Sequence, residues 1–444
     1  MASDTSSTVA TALRAPGLKL ALIVAMTVAM AAPLFLIQLA LDGRQSYASG
    51  AASDIAAGWG GEQTVAGPIL VVPYTIVRDE VVDGRTIQSV ERLTRVLLPA
   101  DLGMNVTASV QERHRGIFEV PVYRSSVALR AEFDRAALLS TLPQDAKVLW
   151  GETAVVVLVG DTRGLADNVD LTVNGRKVHF EPGTLTDRGT GMHAGLAESD
   201  WTGTMRLSAE IPLRGSRSIS LAPLGDRTTA RIAADWGAPS FFGAFLPAAR
   251  HIDVKNFEAA WTVPYLARGF GQNFDSVDPV VTDAFASSFG VRFYKPVDFY
   301  QLVDRSLKYA VLFVGLAFLV FFVMEIVAER RLHAIQYALS GAAQVLFYLL
   351  LLSLAEHVGF GWAYAVAAAT TVALTAAYSA SIFATWARAA VLAAVLAALY
   401  ALLYVILNAE DYALLIGSGV LFVALAATMF VTRRTEWYRL APAG

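Results

Sequence analysis

Ionisable residues are scarce in the apolar stretches of this sequence, so each one there could serve chemistry or helix contact. Glu325 lies inside an apolar run, one helical turn before Glu329. Charged groups inside membrane-spanning segments are rare and often functional. Two interpretations stand: Glu325 pairs with Arg330 or Arg331 near the end of the run, or it has a coupling or gating role.

Two further pairs of polar residues lie at the ends of apolar runs. Glu356 and His357 are adjacent, so their side chains point in different directions if the segment is helical. We expect solvated residues at a membrane interface, with proton sensing as the alternative. Asp304 and Lys308 are four residues apart, so a helix would place them on one face, where they can pair. They mark either a membrane boundary or a rigid helix that couples a neighbouring domain to the bundle.

The remaining reactive residue types show no spacing that supports catalysis or metal binding. No Gly-x-Ser-x-Gly elbow or Ser-x-x-Lys pair appears in a suitable context. The glycine-bounded turn at 160–164 lacks the lysine and the spacing of a phosphate loop. We therefore predict that the protein is not an enzyme and has no catalytic residues, cofactor or metal site. The histidines of the central region, which form no HxH, HxxxH or HExxH motif, are His114, His179, His193 and His251.

Charge is concentrated in the middle of the chain. Of its 444 residues 55% are hydrophobic and 16% are charged, whereas globular domains carry about 25% charged residues. Between Asp42 and Arg305 lie 31 of the 38 acidic and 26 of the 35 basic residues. This distribution predicts a water-soluble domain flanked by membrane helices. The net charge of −3 provides no basic face for nucleic acid, and the absence of cysteine excludes disulfides.

Six apolar runs are long enough to cross a bilayer, whose core needs roughly 20 helical residues. The first run continues past the small residues at 29–31, so we expect a retained anchor instead of a cleaved signal peptide. The predicted spans are Leu20–Leu41, Tyr309–Val327, Ala334–Leu354, Trp362–Phe383, Ala389–Leu407 and Tyr412–Val431.

Basic residues predict the orientation of these spans, because lysine and arginine near span ends stay in the cytoplasm. With the N-terminus inside, eight basic residues lie in cytoplasmic segments, and the short outer loops around Glu356 and Glu410 have none. Both termini are therefore expected in the cytoplasm, with the large central domain outside it. The eight are Arg14, Lys19, Arg330, Arg331, Arg388, Arg433, Arg434 and Arg439. The predicted organisation is a cytoplasmic tail (1–16), a transmembrane anchor (17–41), an exported domain (42–305), a five-helix bundle (306–432) and a second tail (433–444).

The exported domain is expected to be rich in β-strands. Residues 127–133 and 205–213 alternate between apolar and polar side chains, as in half-buried strands. Ala154–Val159 is an unbroken apolar run, typical of a strand buried on both faces. Asn174-Gly175 predicts a type I′ hairpin that places Asp170 opposite His179. These patterns predict antiparallel sheets packed as a sandwich or an open barrel, inserted between the first span and the other five.

Several long blocks of sequence follow this topology in order. They are Gly67–Tyr74 (GPILVVPY), Ser240–Arg250 (SFFGAFLPAAR), Asp304–Phe321, His333–Phe360 and Thr435–Tyr438 (TEWY). Together they resemble the CreD family of bacterial inner-membrane proteins, often labelled cell envelope integrity proteins. The resemblance covers nearly the whole chain and is weakest before Ala15.

The resemblance implies a role in the envelope and does not imply a reaction. The family is associated with an envelope-linked two-component response, and raised levels alter tolerance to certain colicins and β-lactams. It has no established catalytic residues to carry over. We predict a protein that supports envelope integrity or a stress response through its exported domain. Membrane lipids and an envelope protein or glycan are its expected partners, and its oligomeric state is left open. The alternatives are a transporter or lipid-handling protein, or an envelope enzyme with paired carboxylates.

Overall fold

The chain folds into two compact units, which the computed structural model describes for most residues. The described residues are 16–82, 85–116, 118–186, 188–201, 203–293, 299–328, 330, 332–383, 385–409 and 412–433. The membrane unit comprises residues 1–47 and 297–444, and the β unit comprises residues 48–296. Among the residues of the orientation argument, Arg14, Arg331, Arg434 and Arg439 lie outside the described residues, as does Glu329.

In the described part of the chain, six helical segments are long and apolar enough to cross a membrane. One precedes the β unit and five follow it, as the sequence predicts. The α-helices are α1 (Pro16–Ala29), α2 (Ala31–Trp59), α3 (Arg135–Ser140), α4 (Tyr265–Arg268), α5 (Val277–Ala286), α6 (Phe299–Val327), α7 (Ala334–Val358), α8 (Phe360–Phe383), α9 (Trp386–Asn408) and α10 (Ala413–Thr432).

The first apolar segment is interrupted at Met30, between α1 and α2. Pro33 follows within one turn and has no backbone N–H, so it cannot donate to the carbonyl of Ala29. Around the interruption, the backbone N–H of Met30 donates to the Met26 carbonyl at 3.0 Å, and that of Leu34 donates to the Met30 carbonyl at 3.3 Å. The missing proline donor accounts for the local break in an otherwise continuous helical path.

The core of the membrane unit is built around α6 and α7. The rings of Phe318 and Phe321 contact the ring of Tyr337, with centroid distances of 5.9 and 6.2 Å. Gly341 permits this approach, because a Cβ there would lie 2.6 Å from the ring tip of Phe318. Leu392 of α9 is fully buried in the same cluster. Close packing therefore fixes α6 against α7 through aromatic side chains and one glycine.

Two β-sheets form most of the β unit. Their strands are β1 (Gln63–Val82), β2 (Arg85–Leu97), β3 (Asp101–Arg115), β4 (Phe118–Asp134), β5 (Lys147–Val148), β6 (Ala154–Val159), β7 (Asp170–Val173), β8 (Arg176–His179), β9 (Glu181–Pro182), β10 (Gly191–Gly195), β11 (Thr204–Ser216), β12 (Ser218–Leu221), β13 (Arg227–Ala234), β14 (Pro239–Gly243), β15 (Ala249–Ile252), β16 (Phe257–Pro264), β17 (Asn273–Phe274) and β18 (Phe289–Phe293).

The first sheet has the order β14-β18-β12-β1-β6-β10-β9, with β2 and β5 also paired to β1, and β17 paired to β2. The second has the order β15-β16-β13-β3-β4-β11-β7-β8. Antiparallel pairs predominate, as the sequence predicts, but β1 runs parallel to β12 and β13 runs parallel to β3. Alternation within one strand carries no information about its partner's direction, so these parallel pairs could not be predicted.

One hydrophobic core joins residues from both sheets. All six residues of β6 are buried, which confirms the prediction from its unbroken apolar run. Strands β4 and β11 alternate between buried and exposed residues along most of their length, and Phe133 lies opposite Met205. Trp201 and Trp261 are the largest fully buried side chains of the described core. The predicted β-rich domain between the first helix and the other five is therefore confirmed.

Asn174 and Gly175 form the tight turn between β7 and β8, with φ values of 48° and 92°. Positive φ at both central residues is the requirement of a type I′ hairpin. Asp170 lies opposite His179 in the predicted register, and its Oδ1 is 2.7 Å from the His179 Nδ1. His179 is therefore the cross-strand partner of a carboxylate, as predicted.

The glycine-bounded turn at 160–164 is closed by its own side chains. Asp161 Oδ1 accepts hydrogen bonds from the backbone N–H of Arg163 at 3.0 Å and from its Nε at 2.9 Å. Its Oδ2 accepts from the backbone N–H of Gly61 at 3.0 Å. The Arg163 guanidinium lowers the pKa of the Asp161 carboxyl, and burial opposes this effect only in part. The Asp161 carboxylate thus fastens the turn that follows β6 to the residue pair that precedes β1.

Candidate functional site: two polar clusters of the membrane unit

Glu325 lies near the end of α6, a helix whose other residues around it are mostly apolar. Its residue is 8% exposed. Lys19 of α1 donates to Oε1, and the hydroxyl of Tyr337, in the first turn of α7, donates to Oε2 at 2.9 Å. Lys19 also donates to the backbone carbonyl of Leu332 at 3.1 Å. We call Lys19, Glu325 and Tyr337 the Glu325 cluster.

The Glu325 cluster joins three helices through one carboxylate. A buried ion is costly unless opposite charge and hydrogen bonds compensate for its lost hydration. Here Lys19 supplies the charge and Tyr337 supplies a second donor. Glu325 is therefore paired with Lys19, whereas the sequence predicts Arg330 or Arg331 as its partner. Arg330 is exposed and contacts Glu325 through the backbone at 3.3 Å, and Arg331 lies outside the described residues.

A second group of polar residues lies at the opposite ends of α6 and α7. Glu356, near the end of α7, has a side chain that is only 5% exposed. Its Oε1 accepts a hydrogen bond from the Tyr300 hydroxyl at 3.1 Å and lies 3.5 Å from Arg44 Nε. The expectation of a solvated interface residue is therefore wrong for Glu356, because α2 and α6 cover its carboxylate. His357 is exposed, as expected, and its Nδ1 lies 3.0 Å from the Ser353 carbonyl oxygen.

Asp304 extends the same group along α6. Lys308 Nζ lies 2.6 Å from Asp304 Oδ2, which confirms the predicted i, i+4 pair. Gln38 of α2 donates to Asp304 Oδ1 at 2.9 Å and to Asp42 Oδ1 at 3.2 Å. The helix begins at Phe299, so the segment from Asp304 onward is helical, as the spacing predicts. The Glu356 cluster, as we call this group, comprises Gln38, Arg44, Tyr300, Asp304, Lys308 and Glu356.

The structure thus groups the sequence candidates differently from their order in the chain. Asp304 pairs with Lys308 and Gln38, and Glu356 binds Tyr300 and Arg44 at the same end of the helices. Glu325 belongs to the other cluster, and His357 joins neither. The partners that sequence reasoning missed are mainly those on the first helical segment and the buried tyrosines. Gln38, the strongly polar residue of the first apolar run, was the available signal. The missed partners are Lys19, Gln38, Arg44, Tyr300 and Tyr337.

A third set of hydrogen bonds lies between α7, α8 and α9. The Tyr400 hydroxyl donates to Gln344 Oε1, and the Tyr364 hydroxyl donates to the Tyr400 carbonyl at 2.7 Å. The three residues are buried, and the rings of Tyr364 and Tyr400 contact the ring of Phe347. Interhelical hydrogen bonds of this kind hold membrane helices together.

Two grooves on the membrane unit are lined by apolar side chains. One, of about 650 Å³, lies between α6, α9 and α10, where Leu319, Val395 and Val423 contribute to its wall. The other, of about 720 Å³, lies between α8 and α9 and contains a row of alanines with Tyr404. Within the described ranges, no three His, Asp or Glu side chains are grouped to hold a metal ion. The arrangement of the polar clusters can therefore fasten helices, and the grooves present hydrocarbon surface.

A first helix, a large inserted β unit and five further helices define a multi-pass membrane protein with one inserted domain. A family model described as "Inner membrane protein CreD" matches residues 15–438. The chain is 34% identical over 408 residues to the inner membrane protein CreD of Escherichia coli (strain K12), a similarity that covers 91% of this chain and 90% of that protein. The chain therefore belongs to the CreD family of multi-pass inner-membrane proteins.

Proposed function

We propose that this chain supports the integrity of the bacterial cell envelope without catalysing a reaction. In this proposal the six spans present the β unit in the periplasm, where it binds an envelope protein or glycan. The observation that carries the proposal is that acidic residues of the membrane unit hold its helices together. Asp304, Glu325 and Glu356 are all bound by side chains from other helices, so they serve to assemble a rigid base.

The placement of basic residues supports this orientation. Lys19 lies in the first turn of α1, Arg330 follows α6 and Arg433 follows α10. Arg388 lies in the first turn of α9, and its Nη1 is 3.5 Å from the Ala328 carbonyl oxygen near the end of α6. These four residues therefore lie at the end of the helices that is expected to face the cytoplasm, opposite the end that contains Arg44 and Lys308. The segment proposed to be periplasmic is 42–305.

The transporter alternative requires a polar route through the five C-terminal helices. The two grooves described above are lined by apolar side chains, which suit lipid acyl chains better than a polar solute. We therefore favour a scaffold that contacts lipid over a carrier of polar molecules.

The proposal is tested in a strain that lacks the gene. We expect the null strain to show altered tolerance to β-lactams and altered outer-envelope permeability, and we expect the wild-type chain to restore both. A photoreactive side chain on the exposed face of the β unit, at Arg206 for example, should cross-link one reproducible envelope component in intact cells. A null strain with unchanged tolerance and permeability, or a β unit that cross-links to nothing outside the cytoplasm, would refute the proposal.

A further inference from the structure

Three arginines of the β unit surround a single tryptophan. Trp59 ends α2, and the guanidinium carbons of Arg113, Arg124 and Arg214 lie 4.6, 5.3 and 5.6 Å from the centroid of its ring. The arginines come from three adjacent strands of the second sheet, β3, β4 and β11. Guanidinium groups favour contact with the face of an indole ring. The ring therefore gathers three positive charges at one place on the β unit.

This gathering of charge is unfavourable on its own. Arg124 and Arg214 are direct cross-strand partners in the register of β4 and β11, and like charges directly opposite destabilise a sheet. Within the described ranges, none of the three arginines forms an ion pair with a carboxylate, whereas the neighbouring Arg115 is paired with Asp54 at 2.9 Å. No ion pair among the described residues therefore involves this cluster of positive charges.

One donor of the cluster is buried and has no partner. Arg214 Nε has no hydrogen-bond acceptor although solvent does not reach it, and buried donors of this kind are rare in folded proteins. Arg113 and Arg124 are exposed, so the cluster remains accessible from solution. The two exposed guanidinium groups, Arg113 and Arg124, are therefore the part of the cluster that an anion from solution can reach.

The framework around the ring is fixed before any ligand arrives. Trp59 Nε1 donates to the backbone carbonyl of Tyr123 at 3.2 Å, which holds the indole against β4. Gly60 follows with φ of 117°, and a Cβ there would lie 2.8 Å from the Arg214 carbonyl oxygen. Only glycine permits this turn at that distance. The helix end is thereby held close to the backbone of Arg214.

We propose that Arg113, Arg124 and Arg214, arranged around Trp59, form a binding site for a phosphate-bearing anion. The planar guanidinium fork matches phosphate oxygens in a two-point contact, and phosphate offers acceptors to several forks at once. Three converging positive charges exceed what a single carboxylate would neutralise, which favours phosphate. The phosphate can belong to a lipid headgroup or to a soluble anion, because both present the same oxygens. The site requires no particular orientation in the membrane, so this proposal is independent of the proposed function.

The test uses the full-length protein purified in a neutral detergent. Isothermal titration calorimetry with inorganic phosphate, and separately with short-chain phosphatidylglycerol below its micelle concentration, measures the two sources of phosphate. We expect R113Q/R124Q to weaken binding of the preferred probe at least tenfold. The matched control is R206Q/R231Q, which removes the same charge from two exposed arginines that are paired with Glu132 and Glu258. The control should keep wild-type affinity.

Each result of this test has a stated meaning. Binding of phosphatidylglycerol alone assigns the site to a lipid headgroup, and binding of inorganic phosphate assigns it to a soluble anion. Binding of neither probe by the wild type, or equal weakening by both double variants, overturns the proposal. The unfolding midpoint of each variant shows whether it has a folding defect. The variant R113K/R124K shows whether binding needs only the positive charge or also the planar guanidinium group. That lysine variant retains the charge without the fork and should bind more weakly than wild type but more tightly than R113Q/R124Q.

Discussion

Glu325 shows how a single ionisable residue can be accommodated in an apolar helix. Its two oxygens are used by donors from two other helices, Lys19 and Tyr337. Removal of one partner of a buried ion pair leaves the other charge without compensation, and this loss is more harmful than exchange of both partners for apolar residues. We therefore expect the pair to fix the position of α1 against α6 more than it raises the free energy of unfolding.

Replacement of Glu325 by alanine should lower the unfolding free energy by about 3 kcal/mol, the lower end of the range for breaking a buried pair. The lower end applies because the Lys19 side chain is 19% exposed and can regain some hydration. Steric trapping in bicelles measures this quantity. The double variant K19M/E325A should lose much less than the sum of the losses of K19M and E325A. Additive losses would show that the two residues act independently.

The lowered pKa of Asp161 makes the stability of the β unit depend on pH. Its pKa is lowered in the folded state, mainly by hydrogen bonds from Arg163. A carboxyl whose folded pKa is depressed stabilises the fold above its unfolded pKa, about 3.9, and this stabilisation is lost as the pH falls through the folded value. The unfolding midpoint of the wild type should therefore fall more steeply below about pH 4 than that of D161N. Parallel profiles for the two proteins would contradict this role.

At the scale of elements, the first helical segment is bound to the other helices at two places, one near each end of α6. Lys19 of α1 binds Glu325 of α6, while Gln38 and Arg44 of α2 bind Asp304 and Glu356. The interruption of the helix at Met30 lies between these two places. The polar clusters therefore set the position of the first segment against α6 and α7 on both sides of the break.

A Gly-Ser insertion between Val303 and Asp304 tests this fastening. It would interrupt α6 between Tyr300, which binds Glu356, and Asp304, which binds Gln38. The two contacts could then no longer form together. We expect the protein to insert and accumulate normally but to lose its effect on envelope tolerance. The same insertion after Gly359, in the connection from α7 to α8, is the control and should retain that effect. Full activity of the first insertion would leave Asp304 and Lys308 as boundary residues.

The sequence predicted features whose cause is local. Each span follows from the length of apolar helix that a bilayer requires, and the Asn174-Gly175 hairpin follows from the backbone geometry of its turn. The contacts of Lys19 with Glu325 could not be predicted, because 306 residues separate the two and either residue alone is compatible with an interface position. The solvated interpretation of Glu356 failed for a similar reason: its cover comes from Arg44 and Tyr300, which are distant in sequence.

At the scale of the whole molecule, the chain combines a membrane unit with an inserted β unit. Hydropathy and charge placement predict which side of the membrane each segment occupies, because basic residues at span ends resist translocation. The proposed function depends on that placement, since a β unit in the cytoplasm could not bind a periplasmic component. Orientation is therefore the property on which the proposed function most depends.

Reporter fusions measure this orientation most directly. An alkaline phosphatase fused after Gly175 in the β7–β8 hairpin should be active, because this enzyme folds only outside the cytoplasm. A fusion after Arg434 should be inactive, and a fluorescent protein that matures only in the cytoplasm should give the opposite pattern at both positions. Activity of the phosphatase after Arg434, or its absence after Gly175 in a protein that accumulates normally, would contradict the proposed orientation and with it the proposed role of the β unit.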